Sequence, residues 1–166
     1  MEISKRLSAY LAEKKYKVDI IEHRTTYTAW DTSQTEKVEP KEVGKSLVIK
    51  ADNDYILALI PANKNLDKKK LLKIINVDRK KKGEKNCKKI DFAKEVWMKK
   101  NIPGKVGATA PFGDFLKLEI FMDKLLEKNK KIYVGSGEYE MSLRINISQY
   151  LKNENPKRES FSMAKK

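Results

Sequence analysis

Residues 46–51 and 55–60 are apolar runs of strand length, separated only by Asp52-Asn53-Asp54. A turn cluster between two such runs makes the chain fold back on itself as a β-hairpin. Pro61 has no N–H to give to a ladder and ends the second strand. Gly44-Lys45-Ser46 stands at the mouth of the first strand, so a cation is set where an apolar strand begins.

Helical and strand patterns alternate around the hairpin. Ile3, Leu7, Tyr10 and Leu11 recur at helical spacing within residues 2–16. Val18, Ile20 and Ile21 suggest a strand running into His23. Residues 24–42 are polar, hold Asp31 and Ser33, and allow a short helix before Pro40. Asp67 is placed to cap a helix whose inner positions are Leu71, Leu72 and Ile75. Residues 78–89 are strongly basic and read as a loop or solvated turn. A further helix is expected over 92–100, with Phe92, Ala93, Val96 and Trp97 inward. Strands are expected at 116–122, 131–135 and 141–147, a short helix after Asp123, and another begun by Ser148 over 148–152. Residues 153–166 read as a frayed basic tail. This mixture predicts a single compact α+β domain with a mixed β-sheet flanked by helices.

With 166 residues, one domain with a real hydrophobic core is expected. No apolar run approaches a membrane span, and the first residues lack a signal-peptide core. Cytoplasmic location is the expectation. A single cysteine, Cys87, excludes an internal disulfide and a cysteine-based zinc site. The net charge is +14, from 37 basic and 23 acidic residues. Such a surplus favours polyanionic partners. The basic residues are 32 Lys and 5 Arg, a composition suited to backbone contact rather than base reading. Codon usage or adaptation to heat would enrich lysine as well.

Two segments carry the candidate chemistry. Lys45, partly desolvated by the strand it introduces, has a lowered pKa by that reasoning and can hold a carbonyl or phosphate. Lysine is so abundant here that position alone does not separate Lys45 from a solvated surface residue. The second segment is Gly107-Ala108-Thr109-Ala110-Pro111-Phe112-Gly113. Its small side chains allow a ligand to approach backbone amides, and Pro111 fixes the exit. Amides aimed at a developing oxyanion assist acyl transfer, although Gly and Pro also mark ordinary turns. His23, the only histidine, has no Ser or Cys partner in a nucleophile motif, so a catalytic triad is unsupported. Gly135-Ser136-Gly137 lacks phosphate-loop spacing and reads as a turn or bulge, or as pocket lining. Asp123 reads as a helix cap and Cys87 as an incidental thiol.

The order and spacing of these elements resemble the YbaK / prolyl-tRNA-synthetase-associated family of aminoacyl-tRNA deacylases, from about residue 4 to 152. His23 and Thr28 match its His-x-x-x-x-Thr segment, and Lys45-Ser46-Leu47 its lysine, hydroxyl residue and leucine. Leu59-Ile60-Pro61-Ala62-Asn63 resembles a family strand ending in Pro-Ala, and Leu66-Asp67 with Leu71 its helix start. The 107–113 segment is close to the family loop. Asp123, Leu125, Gly137, Leu143 and Ile145 complete the match. Trp30-Asp31-Thr32-Ser33 departs from the usual alanine-rich helix, and residues 78–89 are longer and more basic than usual.

The resemblance implies an editing domain over 1–152 followed by the basic tail. It implies a free-standing enzyme that hydrolyses the ester of a mischarged tRNA, with tRNA(Pro) carrying Cys, Ala or Ser as the family-based expectation. Lys45, Gly107 and Pro111 are then catalytic, and His23, Thr28, Ser46, Ala108, Thr109, Ala110 and Gly137 bind substrate. Water attacks, or the substrate's own thiol in cysteinyl esters. No metal or cofactor is implied. The expected partners are the aminoacylated tRNA end and prolyl-tRNA synthetase, and the expected state is a monomer. The alternatives are a noncatalytic tRNA- or synthetase-binding module of the same fold, and a general nucleic-acid-binding domain.

Overall fold

The computed structural model describes residues 2–165. The hairpin forms as expected: β2 (Gly44–Ala51) and β3 (Asp54–Pro61) pair antiparallel over their full length, with Gly44 opposite Pro61. They sit in a five-stranded mixed sheet ordered β5-β2-β3-β6-β9. The short β5 (Ile90–Phe92) runs antiparallel to β2, while β6 (Glu119–Asp123) and β9 (Lys157–Glu159) run parallel to β3 and to each other's direction. A second sheet, ordered β1-β8-β7, joins β1 (Val18–Glu22), β8 (Met141–Asn146) and β7 (Lys131–Gly135), all antiparallel.

Side-chain alternation along β3 divides the core in two. Leu57 and Leu59 point to one face of the large sheet, where they meet Ile132, Val134, Leu143 and Ile145 of the second sheet and Leu7 of α1 (Lys5–Glu13). Ile56, Ala58 and Ile60 point to the other face, against Leu71 and Ile75 of α3 (Lys68–Lys81). A central strand covered on both faces has to be apolar where it is covered, and β3 is from Ile56 to Pro61. Asp67 caps α3 by accepting from the Lys70 amide at 3.1 Å.

Several expectations need correction. The helix α3 runs to Lys81, so the first part of the 78–89 segment is helical; Asp78 faces Lys82 one turn on and helps hold that end. Phe92 lies in β5, and the following helix α4 (Glu95–Asn101) leaves Val96 exposed rather than inward. A short helix α5 (Gly113–Leu116) occupies the start of the strand expected at 116–122. The last helix, α6 (Ile147–Glu154), is capped by Asn146, whose Oδ1 accepts from the Gln149 amide and from the Ser148 hydroxyl. The helix after Asp123 is a 3-10 turn, Lys124–Lys128, capped by Asp123 as expected.

The largest correction concerns the C-terminal tail, which is not frayed. After β9 the chain buries Phe161 completely and forms β10 (Ser162–Ala164), antiparallel to β4 (Lys64–Leu66). The buried Asp123 carboxylate accepts from the amides of Phe161 and Ser162, at 3.0 and 2.9 Å. Charge alone made this segment look solvated, but one aromatic side chain and two backbone hydrogen bonds tie it down. No described helix is long and apolar enough to cross a membrane.

Candidate active site

The two sheets meet where Val43 bridges to Tyr133, and beyond that bridge the start of β2, where β5 does not pair with it, and the edge strand β7 border a cavity. Its volume is about 190 Å³. Gly44, Lys45, Ser46 and Leu47 supply one wall and Gly107, Ala108 and Thr109 another. Tyr133, Val134 and Gly135 come from β7, and Thr26, Tyr27, Thr28, Ala29 and Thr32 from the start of α2 (Ala29–Glu36) and the loop before it. The two segments singled out in the sequence therefore line one cavity.

The 107–109 wall is set by close backbone packing. Gly107 has φ +90°, and a Cβ there would lie 2.4 Å from the Tyr27 carbonyl oxygen. A Cβ on Gly135 would lie 2.4 Å from the Thr109 carbonyl oxygen and 2.6 Å from that of Ala108. Only glycine permits both approaches. The Gly137 amide donates to the Ala108 carbonyl at 2.6 Å, and the Lys105 amide donates to the Gly137 carbonyl at 2.9 Å. Ala108 donates back to Lys105. Among the described residues, the amides of Gly107 and Thr109 donate to no protein acceptor. Thr109 is buried and Gly107 exposed, and both residues border the cavity.

The Lys45 wall depends on side chains. Lys45 is half-buried, and its Nζ donates to the Lys64 carbonyl at 2.8 Å. Burial, and secondly the charge of Lys165, hold its pKa below the ordinary lysine value. Next to it, the buried Ser46 Oγ has no hydrogen-bond partner among the described residues. Thr28 lines the cavity and caps α2, its Oγ1 accepting from the Asp31 amide at 3.1 Å.

Other expected site residues lie behind the walls. His23, Ala110, Pro111 and Gly137 do not line the cavity. The His23 Nδ1 is 2.6 Å from the Arg24 carbonyl oxygen, which only accepts, so Nδ1 carries the proton. Its Nε2 then accepts from the cavity-lining Ser142 hydroxyl at 2.9 Å. His23 thus fixes a hydroxyl rather than facing the cavity. The Pro111 carbonyl accepts from the buried Tyr150 hydroxyl at 2.6 Å and anchors the loop exit in the core. Cys87 is buried, and burial pushes its thiol up, as suits an incidental residue.

Sequence reasoning missed Tyr27, Tyr133, Glu138 and Ser142 of the lining. Glu138 pairs with Lys105 at 2.9 Å, and the Tyr139 hydroxyl donates to the Val106 carbonyl at 2.6 Å, both stitching the 104–109 loop to the β7–β8 turn. Only the hydroxyl-rich run Thr26-Tyr27-Thr28 carried a local signal; the others reach the cavity through strand pairing. Among the described residues, no three His, Cys, Asp or Glu side chains converge as metal ligands.

The family profile described as an aminoacyl-tRNA editing domain matches residues 23–152. The chain belongs to the aminoacyl-tRNA editing domain family. The editing-domain fold is shared by several solved structures. One, described provisionally as a trans-editing enzyme for prolyl tRNA synthetase, superposes with a TM-score of 0.77 at 17% identity, covering 98% of this chain and 100% of its own. The hypothetical protein APE2540 gives 0.78 at 15% identity, covering 95% of this chain and 99% of its own. A scaffold used for computational epitope grafting gives 0.79 at 18% identity, covering 96% and 97%. At these identities the likeness establishes the fold. No curated protein matches the sequence.

Proposed function

We propose that this editing domain is an aminoacyl-tRNA deacylase acting in trans, which hydrolyses the ester between a small, wrongly attached amino acid and the terminal adenosine of a tRNA. The observation that supports this reading is that Gly107 and Thr109, whose amides have no protein acceptor among the described residues, border the same cavity as the half-buried Lys45. Water attacks the ester carbonyl carbon, and the carbonyl oxygen gathers negative charge against the two amides. The ester C–O bond then breaks, one proton of the attacking water passes to the ribose oxygen, which leaves as a hydroxyl, and the other passes to solvent as the amino acid departs as a carboxylate. Each such amide contributes about 2.7–4 kcal/mol to acyl-transfer catalysis elsewhere.

Lys45 holds the aminoacyl end, its charge preserved by the Lys64 carbonyl until substrate arrives. Ser46 offers an unused hydroxyl to the same end. His23 acts through Ser142, and Pro111 through the anchored loop exit. The small cavity suits Ala, Cys or Ser. A synthetase discriminates such isosteres only about 10–200-fold, which is why a second sieve is required. The exposed Lys69, Lys70, Lys73, Lys80 and Lys81 along α3 give a surface for tRNA phosphates. The provisional description of one structural neighbour supports tRNA(Pro) as the first tRNA to test, and prolyl-tRNA synthetase as the first partner.

The test is deacylation of Ala-, Cys- and Ser-tRNA(Pro) beside correct Pro-tRNA(Pro), with wild type and Lys45→Ala. The expected outcome is selective hydrolysis of one mischarged species, reduced about 10²–10³-fold in the variant. Retained tRNA binding with no hydrolysis of any species would overturn the enzyme in favour of a noncatalytic module.

A further inference from the structure

The residue after the last strand sets against Trp30, beside lining residues of the cavity, a group that the reaction above leaves unused. Ala164 lies opposite Lys64 in the β4–β10 pair, and Lys64 supplies the carbonyl that holds Lys45. The next residue, Lys165, places its ammonium 4.4 Å from the centre of the Trp30 ring. Trp30 belongs to the first turn of α2, beside the lining residues Thr28 and Ala29, and remains 42% exposed. Lys165 is near enough to Lys45 for the two charges to repel, which adds to the lowering of the Lys45 pKa. Neither ammonium has an ion pair with a carboxylate among the described residues.

Two cations brought together without a counter-charge are unfavourable as they stand. An anion between them relieves the repulsion and gains charge-assisted contacts from both. We propose that Lys165, held against Trp30 and set beside Lys45, completes a phosphodiester-binding subsite that takes the linkage on the 5′ side of the terminal adenosine of tRNA. This rests on the reading that the cavity receives the aminoacylated tRNA end. The ester to be cut and this phosphate belong to the same nucleotide. A cation at the mouth and donors inside therefore grip one nucleotide at both of its functional ends. Lysine suits the task, since a diester presents a single charge to a point-charge partner. Trp30 is a positioning residue: its ring keeps the exposed Lys165 stem directed at the mouth.

The experiment measures binding of a tRNA acceptor minihelix ending in CCA to wild type and to full-length Lys165→Ala. A second minihelix carries a neutral methylphosphonate at the last linkage. Neutralising that linkage is expected to cost the wild type about 3- to 5-fold more affinity than it costs Lys165→Ala. The slope of log K against log salt should also fall by about one contact in the variant. An equal cost of neutralisation in both proteins would overturn the subsite. Hydrolysis of the mischarged minihelix by wild type separates this from the broader reading. Hydrolysis with equal costs removes the subsite alone, and no hydrolysis with the coupling intact removes the deacylase alone.

Discussion

The loop carrying Gly107 and the strand carrying Lys45 border one cavity and are held by different means. Around Gly107 the main chain is packed against main chain, with glycines at each closest approach. Around Lys45 the contacts are side chain to carbonyl and side chain to ring, and the support arrives from the far end of the chain. The first wall is fixed by close main-chain packing, and the second carries charge on a long side chain. On the proposed reading the two walls would answer separate needs of ester cleavage: dipoles where charge develops, and a cation where the substrate is gripped.

The sharpest way to break the comparison is to remove what holds the lysine wall. Phe161→Ala empties a fully buried site behind β10 and is expected to cost about 3–5 kcal/mol, read by urea denaturation. A loss under 1 kcal/mol would show that the C-terminal strand is not an integral part of the fold. Next in size is Gly107→Ala. The φ of +90° and the 2.4 Å approach to Tyr27 predict a cost of about 1–3 kcal/mol in stability. Deacylation should fall by more than stability explains, because the amide is turned away. Unchanged activity would mean that the backbone wall does not set the geometry.

The smallest expected effect concerns Lys45 and sharpens the contrast through pH. Burial and Lys165 lower its pKa below the ordinary lysine value of 10.5. The unfolded chain therefore binds more proton between the lowered value and 10.5, and stability rises with pH across that window. Lys45→Met removes this dependence. The variant should be more stable than wild type near neutrality, with the difference closing as pH approaches 10.5. A constant difference across the range would show that burial does not disfavour the charged lysine.

Much of this was legible in the chain itself, for definite reasons. The hairpin was visible because its turn and its apolar runs are contiguous. The Asp67 and Asp123 caps were visible because capping is local. Lys45 and Gly107–Thr109 stood out because each is a compact pattern, and the fold brings them to one cavity. Glu138 and Ser142 escaped because they reach the cavity only through the pairing of β7 with β8. The contact of His23 with Ser142 is not legible in the chain, because it is a hydrogen bond across 119 positions. The tail was misread because a basic segment hides what one Phe can do once Asp123 offers its carboxylate to the backbone.

The pairing of β10 with β4 also orders events in time. Residues 162–164 leave the ribosome after every other part of the cavity has been made. The hairpin, the glycine-cornered loop and the second sheet are already available to fold by then. The lysine wall closes last, when an antiparallel partner arrives for β4. A nascent chain stalled shortly before Phe161 would lack β10, and on the proposed reading its grip on a tRNA end would be deferred until synthesis had passed that point.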